Sequence, residues 1–431
     1  MNLENMFKLK EHNTTVKTEI IAGITTFMTM AYIIIVNPII LSEAGMNFGS
    51  VLTATCLSAG LTTIFMAFYA NYPFALAPGM GLNSFFALGV VIGMGYSWQL
   101  ALAAVFVEGI IFIIMSFLKV REAIIDSIPT NLKYAVSVGI GLFIAFIGFA
   151  NAGIVEAGGA ILQLGDMKNP NAILAVIGLI ITGVLLYKRV KGALFIGIII
   201  STIIGFFIGV TELPKGIIEI SSMSPTFLAA LKVDWSQIFS LDFLIIIFTF
   251  LFVDIFDTVG TVIGVASKAD MLDKDGNLPK ASRVLLADAI GTTMGALFGT
   301  STVTTYVESA SGVAEGGRTG LTSLTTGVMF LFALLFSPIF LIVPGAATAP
   351  ALILVGLFMM EPIMKIDLTD YTEAIPAFLT IIMMPIAYSI SEGIVFGMLS
   401  YTLLKAFTGK AKEVSIVMYI LSLIFILRFI I

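Results

Sequence analysis

The sequence predicts an all-α polytopic membrane protein. It should carry about fourteen transmembrane helices as a 7+7 inverted repeat, with two short strands in the broken spans 3 and 10. Three observations predict this. Hydrophobic residues make up 58% of the 431 residues and charged residues 11%, with a mean hydropathy of +1.07; a soluble domain carries about 25% charged residues. Apolar runs close to the ~20 residues that cross a hydrocarbon core fill the chain from end to end. Basic residues, finally, sort to one side of those runs.

In chain order the first repeat, residues 1–210, offers apolar segments at 19–41, 50–70, 75–93, 98–118, 132–150, 171–187 and 192–210. A polar outer connection, 211–242, follows. The second repeat, 243–431, offers 243–266, 284–299, 300–317, 320–342, 346–360, 373–389 and 392–408. An apolar tail, 414–431, is left over and fits a span, an interfacial helix or the true last helix.

Lys and Arg of short loops stay in the cytoplasm. With the N-terminus cytoplasmic, eighteen basic residues fall on inner segments, among them Lys119, Arg121, Lys188, Arg189, Lys191, Lys274 and Arg318. Only Lys168, Lys215 and Lys232 fall outside, with Arg428 in the tail. Met1–Lys17 is polar and the run behind it is too long for a signal-peptide core. A multi-pass plasma-membrane protein surrounded by lipid bilayer is expected.

An odd number of spans per half makes the halves enter the bilayer from opposite sides, which in transporters places the substrate between broken helices. Span 3 opens with Asn71-Tyr72-Pro73-Phe74-Ala75-Leu76-Ala77-Pro78-Gly79-Met80-Gly81-Leu82-Asn83, a run that cannot start an ordinary helix. Span 10 opens with Gly299-Thr300-Ser301-Thr302-Val303-Thr304-Thr305-Tyr306, rich in β-branched residues. Two short strands are expected there, each leading into a half-helix that faces a shared cavity.

Ionisable groups inside spans mark function by default. Here they are Glu108, Asp254, Asp257, Asp288 and Glu308, with Glu315 nearer the inner end and no Lys, Arg or His at comparable depth in the sequence. A buried carboxylate of this kind accepts a proton readily, which is what a proton-coupled carrier requires. Asp254, Asp257, Thr258 and Thr261 share one helical face. Glu308 follows the strand of span 10, where a half-helix N-terminus would favour its charge, and Asn83 holds the matching place in span 3. An amide and a carboxylate suit the edge of a planar heterocycle. Asp288, near Arg283, reads as a structural helix-end group, and Glu108 suits a bond to a neighbouring helix as well as it suits function. Pro38, Pro344 and Pro350 read as kinks.

The same inventory excludes other classes. Cys56 alone gives no disulfide framework or redox pair, and His12 alone gives no His-rich metal site. No cofactor or metal is expected, and a net charge of −5 without a basic tract argues against nucleic acid. An intramembrane aspartyl protease needs two facing carboxyls from different helices, one after Gly-x-Gly; here the pair lies on one helix. No repeated ring-forming motif suggests a channel.

Four segments, taken together, resemble the AzgA-like purine permeases, the guanine–hypoxanthine–adenine branch of the nucleobase–ascorbate transporter superfamily. They are Ala31-Tyr32-Ile33-Ile34-Ile35-Val36-Asn37-Pro38, Gly79-Met80-Gly81-Leu82-Asn83, Asp254-Ile255-Phe256-Asp257-Thr258-Val259-Gly260-Thr261, and the run from Glu308 through Glu315-Gly316-Gly317-Arg318-Thr319-Gly320-Leu321. The resemblance covers nearly the whole chain. It implies fourteen spans, with spans 1–4 and 8–11 as a core domain and spans 5–7 and 12–14 as a gate domain. It further implies uptake of a purine nucleobase with a proton, an elevator-like movement and a homodimer. Substrate positions carry over to Asn83, Asp254 and Glu308, with Asp257 and Thr258 in support of proton coupling. Two rivals stay open: a sulfate or bicarbonate carrier of the same architecture, whose site should offer cations or bare helix N-termini, and a xanthine or uracil permease.

Overall fold

The computed structural model describes residues 3–118, 129–157, 162–214, 216–236, 240–268, 271 and 278–430. Of the basic residues used for orientation, Lys119, Arg121, Lys215 and Lys274 lie outside the described residues.

The first expected span is two helices, α1 (Val16–Met30) and α2 (Ile33–Glu43). Thr15 opens α1 by accepting the Thr18 backbone N–H at 3.2 Å. At its far end the Thr29 hydroxyl bonds back to the carbonyls of Thr25 and Thr26, at 3.2 and 2.8 Å, competing with helix continuation; the chain turns at Ala31–Tyr32. Next come α3 (Phe48–Tyr69), the strand β1 (Leu76–Pro78) and α4 (Met80–Ser84), which runs directly into a π-helix at Phe85–Gly93. The first half continues with α5 (Trp98–Leu118) and α6 (Thr130–Asn151). A hairpin of β2 (Val155–Ala157) and β3 (Leu162–Leu164), not anticipated from sequence, follows. It closes with α7 (Pro170–Tyr187) and α8 (Ala193–Phe207).

The second half holds α9 (Leu241–Lys268), α10 (Ala281–Phe298), β4 (Val303–Thr305) and α11 (Ser309–Ala314). Then come α12 (Gly320–Ala333), α13 (Gly345–Met359), α14 (Tyr371–Ile386) and α15 (Ile390–Phe407). The expected span 320–342 is not one helix. α12 stops at Ala333, and beyond it Pro338, which has no N–H to give, starts only a four-residue turn, Ser337–Phe340. Pro38 and Pro350 lie inside helices, whereas Pro344 precedes α13. The apolar tail forms α16 (Ile416–Ile430). It lies along α15, where the Ser422 hydroxyl donates to Thr402 at 2.8 Å.

Among the described residues, seven helical segments are long and apolar enough to cross a membrane, and five shorter apolar helices accompany them. Large apolar side chains such as Ile180, Phe207, Phe332 and Phe378 stand exposed around the outside, as a bilayer-facing surface requires. The fold is thus a mostly helical multi-pass membrane protein with two short strand pairs.

The helices sort into two packing groups. One contains α1, α2, α3, α5 and α9–α12 with both broken spans; the other contains α6, α7, α8, α13, α14 and α15. Across the boundary only edges meet, as where α4 touches α6 or α9 touches α15. Within each group one crossing brings two backbones together at paired glycines. A side-chain carbon on Gly327 of α12 would lie 2.7 Å from the Gly60 carbonyl of α3, and one on Gly356 of α13 would lie 2.4 Å from the Gly141 carbonyl of α6. Gly183 of α7 has open space where its side chain would be. Gly356→Ala should therefore lower the melting temperature in detergent, by a destabilisation of about 1–3 kcal/mol, whereas Gly183→Ala should leave it unchanged or raise it. Equal melting temperatures for the two variants would remove the crossing from the account.

Candidate functional site

The strands β1 and β4 come from opposite halves of the chain and pair antiparallel, Leu76 with Thr305, Ala77 with Thr304 and Pro78 with Val303. Both are buried throughout. Two three-residue strands cannot satisfy each other fully, so their remaining N–H and C=O groups need partners from the protein. The sequence supplies them as hydroxyls. Thr63 of α3 accepts the Leu76 N–H at 2.9 Å and donates to the Leu76 carbonyl at 3.1 Å. The Ser309 hydroxyl accepts the Ala75 N–H at 3.0 Å, and Thr292 of α10 donates to the Val303 carbonyl at 2.9 Å. The Tyr306 hydroxyl donates to the Pro78 carbonyl.

Asp288 completes the frame. It lies mid-helix in α10, not at a helix end; one carboxylate oxygen accepts the Thr305 N–H and hydroxyl, at 2.9 and 3.0 Å. The other accepts from Thr258 of α9 at 3.0 Å. Arg283, its expected neighbour, reaches instead to the Tyr69 carbonyl at 3.3 Å. Thr258 also shares a hydrogen bond with Thr304, at 2.7 Å, and lies 3.4 Å from Asp254. The Thr258 hydroxyl therefore sits between carboxylates of two adjacent helices and β4.

The residues singled out in the sequence gather around this crossing, in two layers. Asn83, Asp254, Thr258 and Asp288 are fully buried. Asn83 accepts from the Ser301 hydroxyl and donates to the Pro78 carbonyl at 3.5 Å, so its amide spans the two breaks. Asp257 and Glu308, in contrast, are partly exposed. They lie close enough to each other and to Asp288 for their charges to repel. Gly79 makes room in front of Asp257: a side-chain carbon there would sit 2.7 Å from the Thr304 methyl and 3.8 Å from the Asp257 carboxylate. Glu108 is buried on α5.

Glu308 stands at the start of α11, but its carboxylate makes no capping bond there. The Tyr32 hydroxyl, at the turn between α1 and α2, donates to it at 2.8 Å. Sequence reasoning quoted Tyr32 only within a motif; a tyrosine at a helix break facing a carboxylate is visible only in three dimensions. It missed Glu19 as well. Glu19 of α1, fully buried, accepts the backbone N–H groups of Arg318, Thr319 and Thr322, at 2.8, 3.2 and 3.2 Å, and the Thr322 hydroxyl at 2.6 Å. Its charge thus sits on the N-terminus of α12. Among the described residues no group of three or more His, Cys, Asp or Glu could hold a metal ion. What the arrangement offers is two carboxylates open to a small polar molecule, held by a hydrogen-bonded scaffold.

Residues 17–396 match the permease family. The chain is 50% identical to a putative permease of Methanocaldococcus jannaschii over 99% of this chain and 98% of that one. It is 44% identical to the guanine/hypoxanthine permease PbuO of Bacillus subtilis, over 98% and 99%. It is 41% identical to the adenine permease AdeP of Escherichia coli, over 99% and 95%. The fold is similar to the transmembrane domain of a cyanobacterium bicarbonate transporter, BicA, with a TM-score of 0.66 at 16% identity, covering 87% of this chain and 97% of that one.

The two-layer arrangement has a chemical consequence. In a Cys56→Ser background, Asp257→Cys should react with a charged, membrane-impermeant thiol reagent much faster than Asp254→Cys, because only position 257 is open to water. Equal labelling of the two, measured on purified protein, would contradict the layering.

Proposed function

The chain belongs to the permease family that it matches, and from that premise we propose that it carries purine nucleobases, hypoxanthine, guanine and adenine among them, across the membrane together with protons. The observation that supports this most is the pair of partly exposed carboxylates, Asp257 and Glu308, beside the β1–β4 crossing. A purine presents ring N–H groups next to carbonyl or amino substituents. A carboxylate accepts two such bonds at once, each strengthened by its charge. Tyr32 fixes Glu308 for this task. The relatives named for guanine, hypoxanthine and adenine transport support the same substrate class.

In this proposal Glu308 and Asp257 face the base, while Asn83 and Asp254 act from behind. Asn83 shapes selectivity by fixing the distance between the two breaks. Asp254 and Asp257, joined to Asp288 through Thr258, carry the proton: three carboxylates on two neighbouring helices repel one another, and a proton arriving with the base relieves that repulsion. The two packing groups serve as core and gate, the core moving the base past the gate in an elevator-like step; the light contact across their boundary supports this. The N-terminus is cytoplasmic, and the protein works as a homodimer in the plasma membrane. An anion carrier is disfavoured because two carboxylates at the opening would repel its substrate, and the resemblance to a bicarbonate transporter is one of fold.

Uptake of labelled hypoxanthine, guanine, adenine, xanthine, uracil and sulfate in a permease-deficient host tests the substrate class. Hypoxanthine, guanine and adenine should enter and compete with one another; preferential sulfate uptake would overturn the proposal, and preferential uracil or xanthine uptake would move the chain to the other nucleobase branch. Accumulation should collapse with a protonophore and persist when sodium is replaced; the reverse pattern would assign coupling to sodium.

Side-chain roles divide in the same assay. Losing a charge-assisted bond in a buried site costs about 1.5–3 kcal/mol, so Glu308→Gln should weaken base binding roughly 10- to 150-fold. Asp254→Asn should keep binding but lose accumulation against a gradient. Binding to purified Glu308→Gln at wild-type strength, or uphill uptake by Asp254→Asn, would reverse the assignments.

A further inference from the structure

The second half of the long motif, Glu315 to Thr319, has no place in the site described above. Glu315 ends α11, the short helix whose other end carries Glu308. The loop after it is fixed in the first packing group: Glu19 holds the Arg318, Thr319 and Thr322 N–H groups, and the Arg318 guanidinium donates to the Val313 and Gly317 carbonyls at 2.7 and 2.8 Å. Glu315 itself forms an ion pair with Lys191, in the turn between α7 and α8 of the second group. One residue on, Gly192 has φ +70 and lies so near α1 that a side-chain carbon would be 2.8 Å from the Met28 carbonyl. The other described ion pairs stay within one group or within the N-terminal segment: Lys405 with Glu373 and Glu413, Lys410 with Asp370, Lys8 with Glu11 and Lys10 with Glu4. The Lys191–Glu315 pair joins the two groups.

We propose that Lys191 and Glu315 form a closure contact between the two packing groups, made when this face of the protein is shut and broken when it opens. The proposal rests on the reading that the groups move against each other. Its strength follows from exposure. The two side chains are 50% and 31% exposed, so the pair biases the equilibrium by at most about fivefold and does not lock it. A bias of that size suits a carrier, which must reopen on every cycle. α11 is only six residues long, with Glu308 at one end and Glu315 at the other, so the closure contact lies one short helix away from the substrate site.

The test reads distance and transport separately, in a Cys56→Ser background. Spin labels at Lys17→Cys, at the start of α1, and Lys188→Cys, in the turn after α7, report the separation of the groups in purified, reconstituted protein without substrate. Lys191→Glu and Glu315→Lys should each reduce the short-distance population by up to about fivefold relative to the long one, and the double charge swap should restore it. In vesicles, a short reducible thiol-to-thiol cross-linker joining Lys191→Cys to Glu315→Cys should arrest uptake, and reduction should restore it. Single variants with the unaltered distance distribution, a double swap that fails to restore it, or a cross-linked protein that keeps transporting would each overturn the proposal. The distance arm needs no substrate, so a wrong substrate class would leave it decisive.

Discussion

Extended backbone deep inside an apolar molecule must have every N–H and C=O bonded, because no water is there to do it and each unmet group costs on the order of 1–3 kcal/mol. The rest of this structure is arranged around that constraint at β1 and β4. Thr63 of α3, Asp288 and Thr292 of α10, Tyr306 and Ser309 just after β4, and Asn83 of α4 each place a polar atom on one of these strands or the backbone next to them. Asn37 extends the same network, donating to Thr55 and Thr300 at 2.7 and 2.8 Å. Polar groups that would be liabilities in an apolar interior thus become a requirement of the fold.

What this scaffold leaves over defines the site. Most polar side chains near the crossing are consumed by backbone groups or by one another, and Asp257 and Glu308 are the carboxylates that retain open space. Glu308 is steadied by Tyr32 rather than by a helix end, so its position depends on the break between α1 and α2 as well as on β4. The site therefore belongs wholly to one packing group, whose members are tied by close glycine crossings and by the Glu19 carboxylate at α12. A unit that carries its own binding groups is what the proposed elevator-like step requires of its moving part.

Much of this was legible in the sequence. The Pro and Gly run before Asn83 and the β-branched run before Tyr306 identified both strands, because each forbids or disfavours helix at a place where apolar length demands one. The acidic residues stood out against their apolar runs for the same reason. The spacing of Asp254, Asp257 and Thr258 gave a shared face but not which carboxylate looks into open space, since that depends on the facing Gly79 and β4. Asp288 was assigned to Arg283 by nearness along the chain; five residues turn a helix by roughly 140° from alignment, so the two point to different neighbours. Tyr32 carries no signal inside an apolar run, and Glu19 stands at the edge of the first span. Both act across about 300 positions of sequence, at Glu308 and at Thr319. Such pairings have no local trace.

In the proposed function, two carboxylates beside the strand crossing hold a neutral base. The most direct measurement is an experimental structure of the protein with hypoxanthine bound. The base should lie next to Gly79 and Thr304, with its ring N–H groups within hydrogen-bond distance of Glu308 and Asp257 and the β1–β4 register unchanged. A base bound away from both carboxylates, or a crossing that comes apart on binding, would contradict it.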